Sequence, residues 1–174
     1  MQLDLSRIRQ PDTRFERTFE PAQVALPDDA YRIAALVHLA FDIHKDKDTF
    51  RLAGTVRTEL ELSCGRCLEP FTLPLDQRFD LRYHPQSEAS TEAETEVGEE
   101  DLETSFYQGE QIDLSELMRE QFYLALPMKP LCREDCRGLC PQCGTNLNTG
   151  TCGCAPAWED PRLAALKQFK SRES

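Results

Sequence analysis

The chain has 174 residues, 40% of them apolar, and its 31 acidic side chains outnumber 20 basic ones for a net charge of -11. That length suits one ordinary domain, and a mean hydropathy of -0.54 without any long apolar run leaves no membrane-spanning stretch in view. The acidic balance argues against generic duplex binding, in which each phosphate contact needs a local cation.

The first residues, Met1-Gln-Leu-Asp-Leu-Ser-Arg-Ile-Arg9, lack the apolar core of a secretion signal, so a cytoplasmic, reducing location is expected. There, eight cysteines are expected to bind metal as thiolates and not to form disulfides. Residues 1–34 show short alternations (Leu3/Leu5, Phe15/Phe19) broken by Pro11, Pro21 and Pro27, and read as edge strands and loops. Three clearer runs follow. Val37, Leu39, Phe41 and Ile43 share one parity, with His38, Asp42 and His44 on the other. Phe50, Leu52, Val56, Leu60 and Leu62 alternate against Arg51, Thr55, Arg57, Glu59 and Glu61. Phe71, Leu73, Leu75, Phe79, Leu81 and Tyr83 alternate against Thr72, Asp76, Arg78, Asp80 and Arg82. Period two across successive runs predicts half-buried antiparallel strands within residues 1–84. Cys64-Gly-Arg-Cys67 falls between the second and third, at a hairpin tip.

Residues 86–110 carry nine acids and no Lys or Arg. With little to bury, they are expected to form an acidic flexible loop. A helix is expected over 113–126: Asp113 is an N-cap, Glu116 stands at N3, and Pro127 ends the run. Its apolar face would be Leu114, Leu117, Met118, Phe122 and Ala125. A short C-terminal helix is expected over 161–170, with Leu163, Leu166 and Phe169 on one side. The fold class is therefore α+β: one antiparallel β-rich domain over 1–174, one capped helix, and a Cys-rich zinc-binding segment over 127–158.

The cysteines are spaced Cys64-x2-Cys67, then Cys132-x3-Cys136-x3-Cys140-x2-Cys143-x8-Cys152-x-Cys154. Short C-x2-C turns present two thiolates to one tetrahedral Zn2+. Cys140-Pro-Gln-Cys143-Gly144 has the form of a zinc knuckle, and Cys152-Gly-Cys154 is its natural complement across Thr145-Asn-Leu-Asn-Thr-Gly150. Cys64 and Cys67 then pair with Cys132 and Cys136, giving two structural four-cysteine sites. A competing partition puts Cys132, Cys136, Cys140 and Cys143 on one ion, and iron–sulfur is a second option for the metal. A thioredoxin-like role for Cys64 and Cys67 would need a following helix to lower a thiol pKa, whereas a strand follows here.

Other chemistry is thin. His38, His44 and His84 fall on outward parity or in turns, and the sequence has no phosphate loop, H-E-x-x-H or G-x-S-x-G. No catalytic constellation emerges, so the chain is expected not to be an enzyme. Arg66, Lys129, Arg133 and Arg137 lie near the cysteines in sequence and are candidate RNA contacts. Each zinc with four thiolates carries about -2, which cancels much of their charge. Trp158 is a candidate stacking residue in an unassigned loop.

Cys64-Gly-Arg-Cys-Leu-Glu-Pro70, Leu124-Ala-Leu-Pro-Met-Lys-Pro-Leu-Cys132 and Cys136-Arg-Gly-Leu-Cys-Pro-Gln-Cys-Gly-Thr-Asn-Leu-Asn148 resemble the YceD family, named for large ribosomal RNA subunit accumulation proteins. The similarity spans about 36–169, including the Ile112-Asp-Leu helix start and Arg162-Leu-Ala-Ala-Leu166. It implies a role in 23S ribosomal RNA accumulation, through large-subunit assembly or rRNA processing. The expected partner is ribosomal RNA precursor or a basic ribosomal or assembly protein, with no small-molecule substrate and no membrane. The alternatives are a redox-responsive zinc switch and a zinc-stapled protein–protein adaptor.

Overall fold

The three alternating runs become the three long central strands of one sheet. The computed structural model describes residues 1–27, 30–86 and 104–154. The strands are β1 (Gln2–Asp4), β2 (Asp12–Phe19), β3 (Arg32–Ile33), β4 (Val37–Asp46), β5 (Thr49–Ser63), β6 (Pro70–Pro85), β7 (Thr104–Tyr107) and β8 (Gln111–Asp113). The helices are α1 (Pro21–Val24) and α2 (Leu114–Ala125). The main sheet runs β2-β4-β5-β6-β7, with β3 also paired to β5, and β1 pairs with β8 in a second, two-stranded sheet. All pairings are antiparallel except β6 with β7, which is parallel. The result is a mixed, mostly antiparallel sheet with few helices.

Burial follows parity. Val37, Leu39, Phe41 and Ile43 are buried, as are Phe50, Leu52, Val56, Leu60 and Leu62, and then Leu75, Phe79 and Tyr83. On β6, Phe71, Leu73 and Leu81 are only partly buried. The opposite face is solvated and laced with cross-strand pairs: Arg14 with Asp42 at 3.4 Å, Arg51 with Asp80, and Arg57 with Asp76 at 3.0 Å. Exposed pairs of this kind are each worth about 0–1 kcal/mol, so they set register more than stability.

Leu114, Leu117, Met118 and Phe122 of α2 join the same buried cluster. Each such side chain contributes about 1.5–3 kcal/mol by leaving water. Asp113 caps α2 by accepting from the backbone N–H of Ser115 at 2.8 Å. Gln121 is buried as well, on the face that the apolar spacing marks.

One inner-face position has no side chain. Gly54 pairs with Phe41 on one side and Phe79 on the other. A Cβ there would fall against the Ala40 carbonyl oxygen and the Phe41 side chain. The space it leaves lets Phe41 stack on Phe15 at 4.8 Å and approach Phe79 at 6.1 Å.

The chain falls into two compact units: Met1–Ser63 with Pro70–Pro130, and Cys64–Glu69 with Leu131–Ser174. The hairpin tip groups with the distal cysteine segment because both supply the same cysteine cluster. Strand β7, in turn, lies inside the segment expected to be a loop; its four residues are too few to show a period. Residues 87–103 of that acidic segment, Trp158 and the expected helix over 161–170 lie outside the described residues. Among the described residues no helix is long and apolar enough to cross a membrane.

Candidate metal centres

Both cysteine clusters lie within the second unit. Cys64, Cys67, Cys132 and Cys136 form one group, and Cys140, Cys143, Cys152 and Cys154 the other; within each, all sulfurs lie within 4.8 Å of one another. The competing partition across Cys132, Cys136, Cys140 and Cys143 is not the one the fold assembles. All eight are free thiols.

The two C-x2-C turns have one backbone conformation. Leu68 N–H donates to the Cys64 carbonyl at 2.9 Å, and Gly144 N–H donates to the Cys140 carbonyl at 2.9 Å. The donor residue is left-handed in each, with φ of 62° at Leu68 and 72° at Gly144. Such a turn points both flanking sulfurs to one side. Cys64-Gly-Arg-Cys67 leads into β6 without an intervening helix, so the helix-based lowering of a redox thiol is missing.

The first cluster is held by ties that sequence spacing does not reveal. Arg66 donates from Nη1 to the Cys136 carbonyl at 2.9 Å and, more weakly, to that of Glu134 at 3.5 Å. Its own carbonyl accepts from Leu139 N–H at 3.1 Å. Gly138, at φ 73°, makes that approach possible, since a Cβ there would lie 3.1 Å from the Arg66 oxygen. Asn148 is the busiest side chain. Its Oδ1 accepts from Arg137 N–H and from Arg133 Nη2, both at 2.8 Å, and its Nδ2 donates to Cys136 Sγ at 3.3 Å. The only trace of this in the sequence is the Asn-x-Asn spacing, which forms an Asx turn: Asn148 N–H donates to Asn146 Oδ1 at 3.0 Å.

Thiol electrostatics follow these contacts. Backbone N–H groups of Cys67 and Cys132 draw the Cys64 thiol down to about 6. The Thr145 hydroxyl draws Cys143 down to about 6, and the Asn148 amide lowers Cys136. Burial pushes Cys132 up to about 12. Hydrogen bonding to Cys143 pushes Cys154 up to about 12.

A single ion with four thiolates at about 2.3 Å in a tetrahedron needs sulfurs about 3.8 Å apart. Cys64 and Cys136 are 3.7 Å apart, and Cys67 and Cys132 are 3.7 Å apart. The first cluster therefore has the spacing of one metal ion, and in both clusters four sulfurs within 4.8 Å of one another could hold one. The clusters differ in access: Cys64, Cys67 and Cys136 are buried, whereas Cys143 and Cys154 are exposed.

The candidate cations are already engaged in part. Arg66 is bound to the cluster backbone, and Arg133 reaches Asn148 and, at 3.4 Å, Asp135. The Arg137 side chain is exposed. Lys129 belongs to the first unit. Of the histidines, His38 meets Thr18 at 3.0 Å and His44 meets Asp12 at 2.8 Å, both on the solvated sheet face.

The family model described as "Large ribosomal RNA subunit accumulation protein YceD" matches residues 52–170. An uncharacterized protein of Mycobacterium tuberculosis is 33% identical over 179 residues, covering all of this chain and 83% of the relative. Two proteins named "Large ribosomal RNA subunit accumulation protein YCED homolog 1, chloroplastic" are also similar. That of Zea mays is 28% identical over 69% of this chain, and that of Arabidopsis thaliana 27% over 78%. The matched part is about half of each plant protein, 49% in both. No solved structure matches. With the family model covering more than half of its length, including every cysteine of both clusters, the chain belongs to the YceD family.

Proposed function

We propose that this protein is a non-catalytic, zinc-stabilised factor that supports 23S ribosomal RNA accumulation and large-subunit assembly or rRNA processing in the cytoplasm. Membership of the YceD family carries the reading. The metal half rests on two four-sulfur clusters, in each of which all four sulfurs lie within 4.8 Å of one another, a spacing that admits one ion. Four thiolates fill the tetrahedron and leave no position for water or substrate, which suits a structural ion. Depletion of the protein followed by subunit profiling and 23S rRNA quantitation tests the reading. A selective deficit of large subunits supports it, and balanced subunits remove it.

The charge favours a basic ribosomal or assembly protein as the direct contact. The chain carries -11, and Arg66 and Arg133 are engaged inside their own unit. Direct rRNA contact through Lys129, Arg133 and Arg137 is the second reading, favoured by the exposure of the Arg137 side chain. Filter binding to precursor rRNA across a salt series separates the two, because lost phosphate contacts would shrink the salt slope in Arg137→Ala.

A further inference from the structure

The two cysteine clusters are separate as donor sets but not as structures. Residues 145–150 close the second cluster by linking Cys143 to Cys152, and they also supply the side chain that touches a sulfur of the first. Leu147 N–H donates to the Gly138 carbonyl at 2.9 Å and Cys140 N–H to that of Thr145 at 2.9 Å. The loop is thus folded back along 138–140, the segment between the last cysteine of one cluster and the first of the other. From that position Asn148 reaches Cys136 Sγ at 3.3 Å, and Asn146 reaches Glu69, beside the Cys64-x2-Cys67 turn, at 3.4 Å.

An N–H donated to a metal-bound thiolate holds that sulfur in place and takes up part of its negative charge. Contacts of this outer kind typically change metal affinity about 10–100-fold. The loop that makes this one is closed at both ends by ligands of the other ion. An empty second cluster leaves residues 145–150 tied at Cys143 but free at Cys152, so Asn148 spends less time against Cys136.

We propose that the two metal sites are thermodynamically coupled, with Asn148 as the positioning residue through which occupancy of the Cys140/Cys143/Cys152/Cys154 site tightens the Cys64/Cys67/Cys132/Cys136 site. The inference rests on the metal reading above. Coupling of this kind is reciprocal, so the first ion also tightens the second.

The test uses the full chain loaded with Zn2+ and, in parallel, with Co2+, whose absorption reports thiolate ligation. Affinities come from competition with a chelator of known strength. Cys154→Ser, which removes the second site, should weaken the first about tenfold. Asn148→Ala should weaken it by a similar factor while two ions still bind. The double variant should lose no more than either single one, because both act through one contact. The S-to-Co2+ charge-transfer band of the first site should also shift in Asn148→Ala, a signature that a remote loop brace would not give. Asn148→Asp separates the roles: it keeps the acceptor for Arg137 N–H and Arg133 but replaces the donor with a negative charge. It should weaken the first site at least as much as Ala. Full rescue by Asp, additive losses in the double variant, or unchanged first-site affinity in the single ones would overturn the coupling while leaving two zinc sites intact. Elemental analysis showing no bound metal in the full chain would overturn the metal reading and this inference together.

Discussion

Arg66 donates from its guanidinium to the carbonyl oxygen of Cys136 at 2.9 Å, so a residue between the two cysteines of one turn is fastened to the backbone of the segment that faces it. The tie joins residues 70 positions apart in the chain, and the Arg66 carbonyl returns a second bond to Leu139. Arg66→Ala removes the first and keeps the second. An exposed side chain contributes only about 0.5–1.5 kcal/mol through such a bond, so the variant should fold, with faster metal loss from the first cluster. Arg66→Lys should recover part of the loss, because a single nitrogen, Nη1, serves both carbonyls and an ammonium can donate in its place. If Arg66 instead served a phosphate, the salt slope of RNA retention would fall by about one in Arg66→Ala. The geometry predicts an unchanged slope, measurable by filter binding.

Gly54 offers a test confined to the sheet. Gly54→Ala or Gly54→Val would drive a Cβ into the Ala40 carbonyl and the Phe41 side chain. Neither can retreat without breaking the β4–β5 pairing or the Phe15–Phe41 stack. Overpacking of this kind costs about 1–3 kcal/mol, and a backbone neighbour places the cost at the upper end. Thermal denaturation should show a drop of about 2–4 °C per kcal/mol, with metal content unchanged.

The strands were legible because their burial is written in period two: Val37 to Ile43 and Phe50 to Leu62 need no tertiary information to declare a face. α2 was legible for a similar local reason, with Asp113 capping one end and Pro127 closing the other. Strand β7 was not, since Thr104–Tyr107 is ordered by its parallel partner β6 and not by its own alternation. The four-plus-four grouping of cysteines could be read from spacing. Asn148 could not, because a carboxamide in a turn-rich stretch has many targets, and only loop closure selects Cys136 Sγ. Leu68 was hidden for the opposite reason: nothing about a leucine announces a left-handed backbone.

That leucine yields a prediction opposite in sign to most core-to-glycine changes. Leu68 holds φ 62° with 65% of its surface exposed. A left-handed conformation costs a residue with a Cβ about 1–2 kcal/mol, while glycine's extra chain entropy costs about 0.5–1 kcal/mol. Little burial is lost with the side chain. Leu68→Gly should therefore leave the cluster unchanged or stabilise it by up to about 1 kcal/mol. Gly144→Ala, at the equivalent place with φ 72°, should destabilise by about 1 kcal/mol. Chelator-challenge midpoints should hold or rise in Leu68→Gly and fall in Gly144→Ala. A loss in both would mean that the Leu68 side chain has a packing or docking role.

The unequal exposure of the clusters predicts a staged loss of metal. A chelator or oxidant must reach a sulfur or the ion itself, and in the second cluster Cys143 and Cys154 are open to solvent. In the first, three of the four thiols are buried. A large excess of chelator should therefore release zinc in two phases of similar amplitude, the fast one from the second cluster. Cys143→Ser should abolish the fast phase and also speed the slow one, since emptying the second cluster frees the loop that braces Cys136 at its Cys152 end. Lowering the pH should work in the same order. Each ion is bound by thiolates, so protons compete with it and affinity falls as pH falls; the open cluster exchanges first. A zinc-responsive dye in stopped flow, with wild type and Cys143→Ser compared at fixed pH, measures both phases. A single release phase in the wild-type chain would mean that exposure does not govern access to these ions.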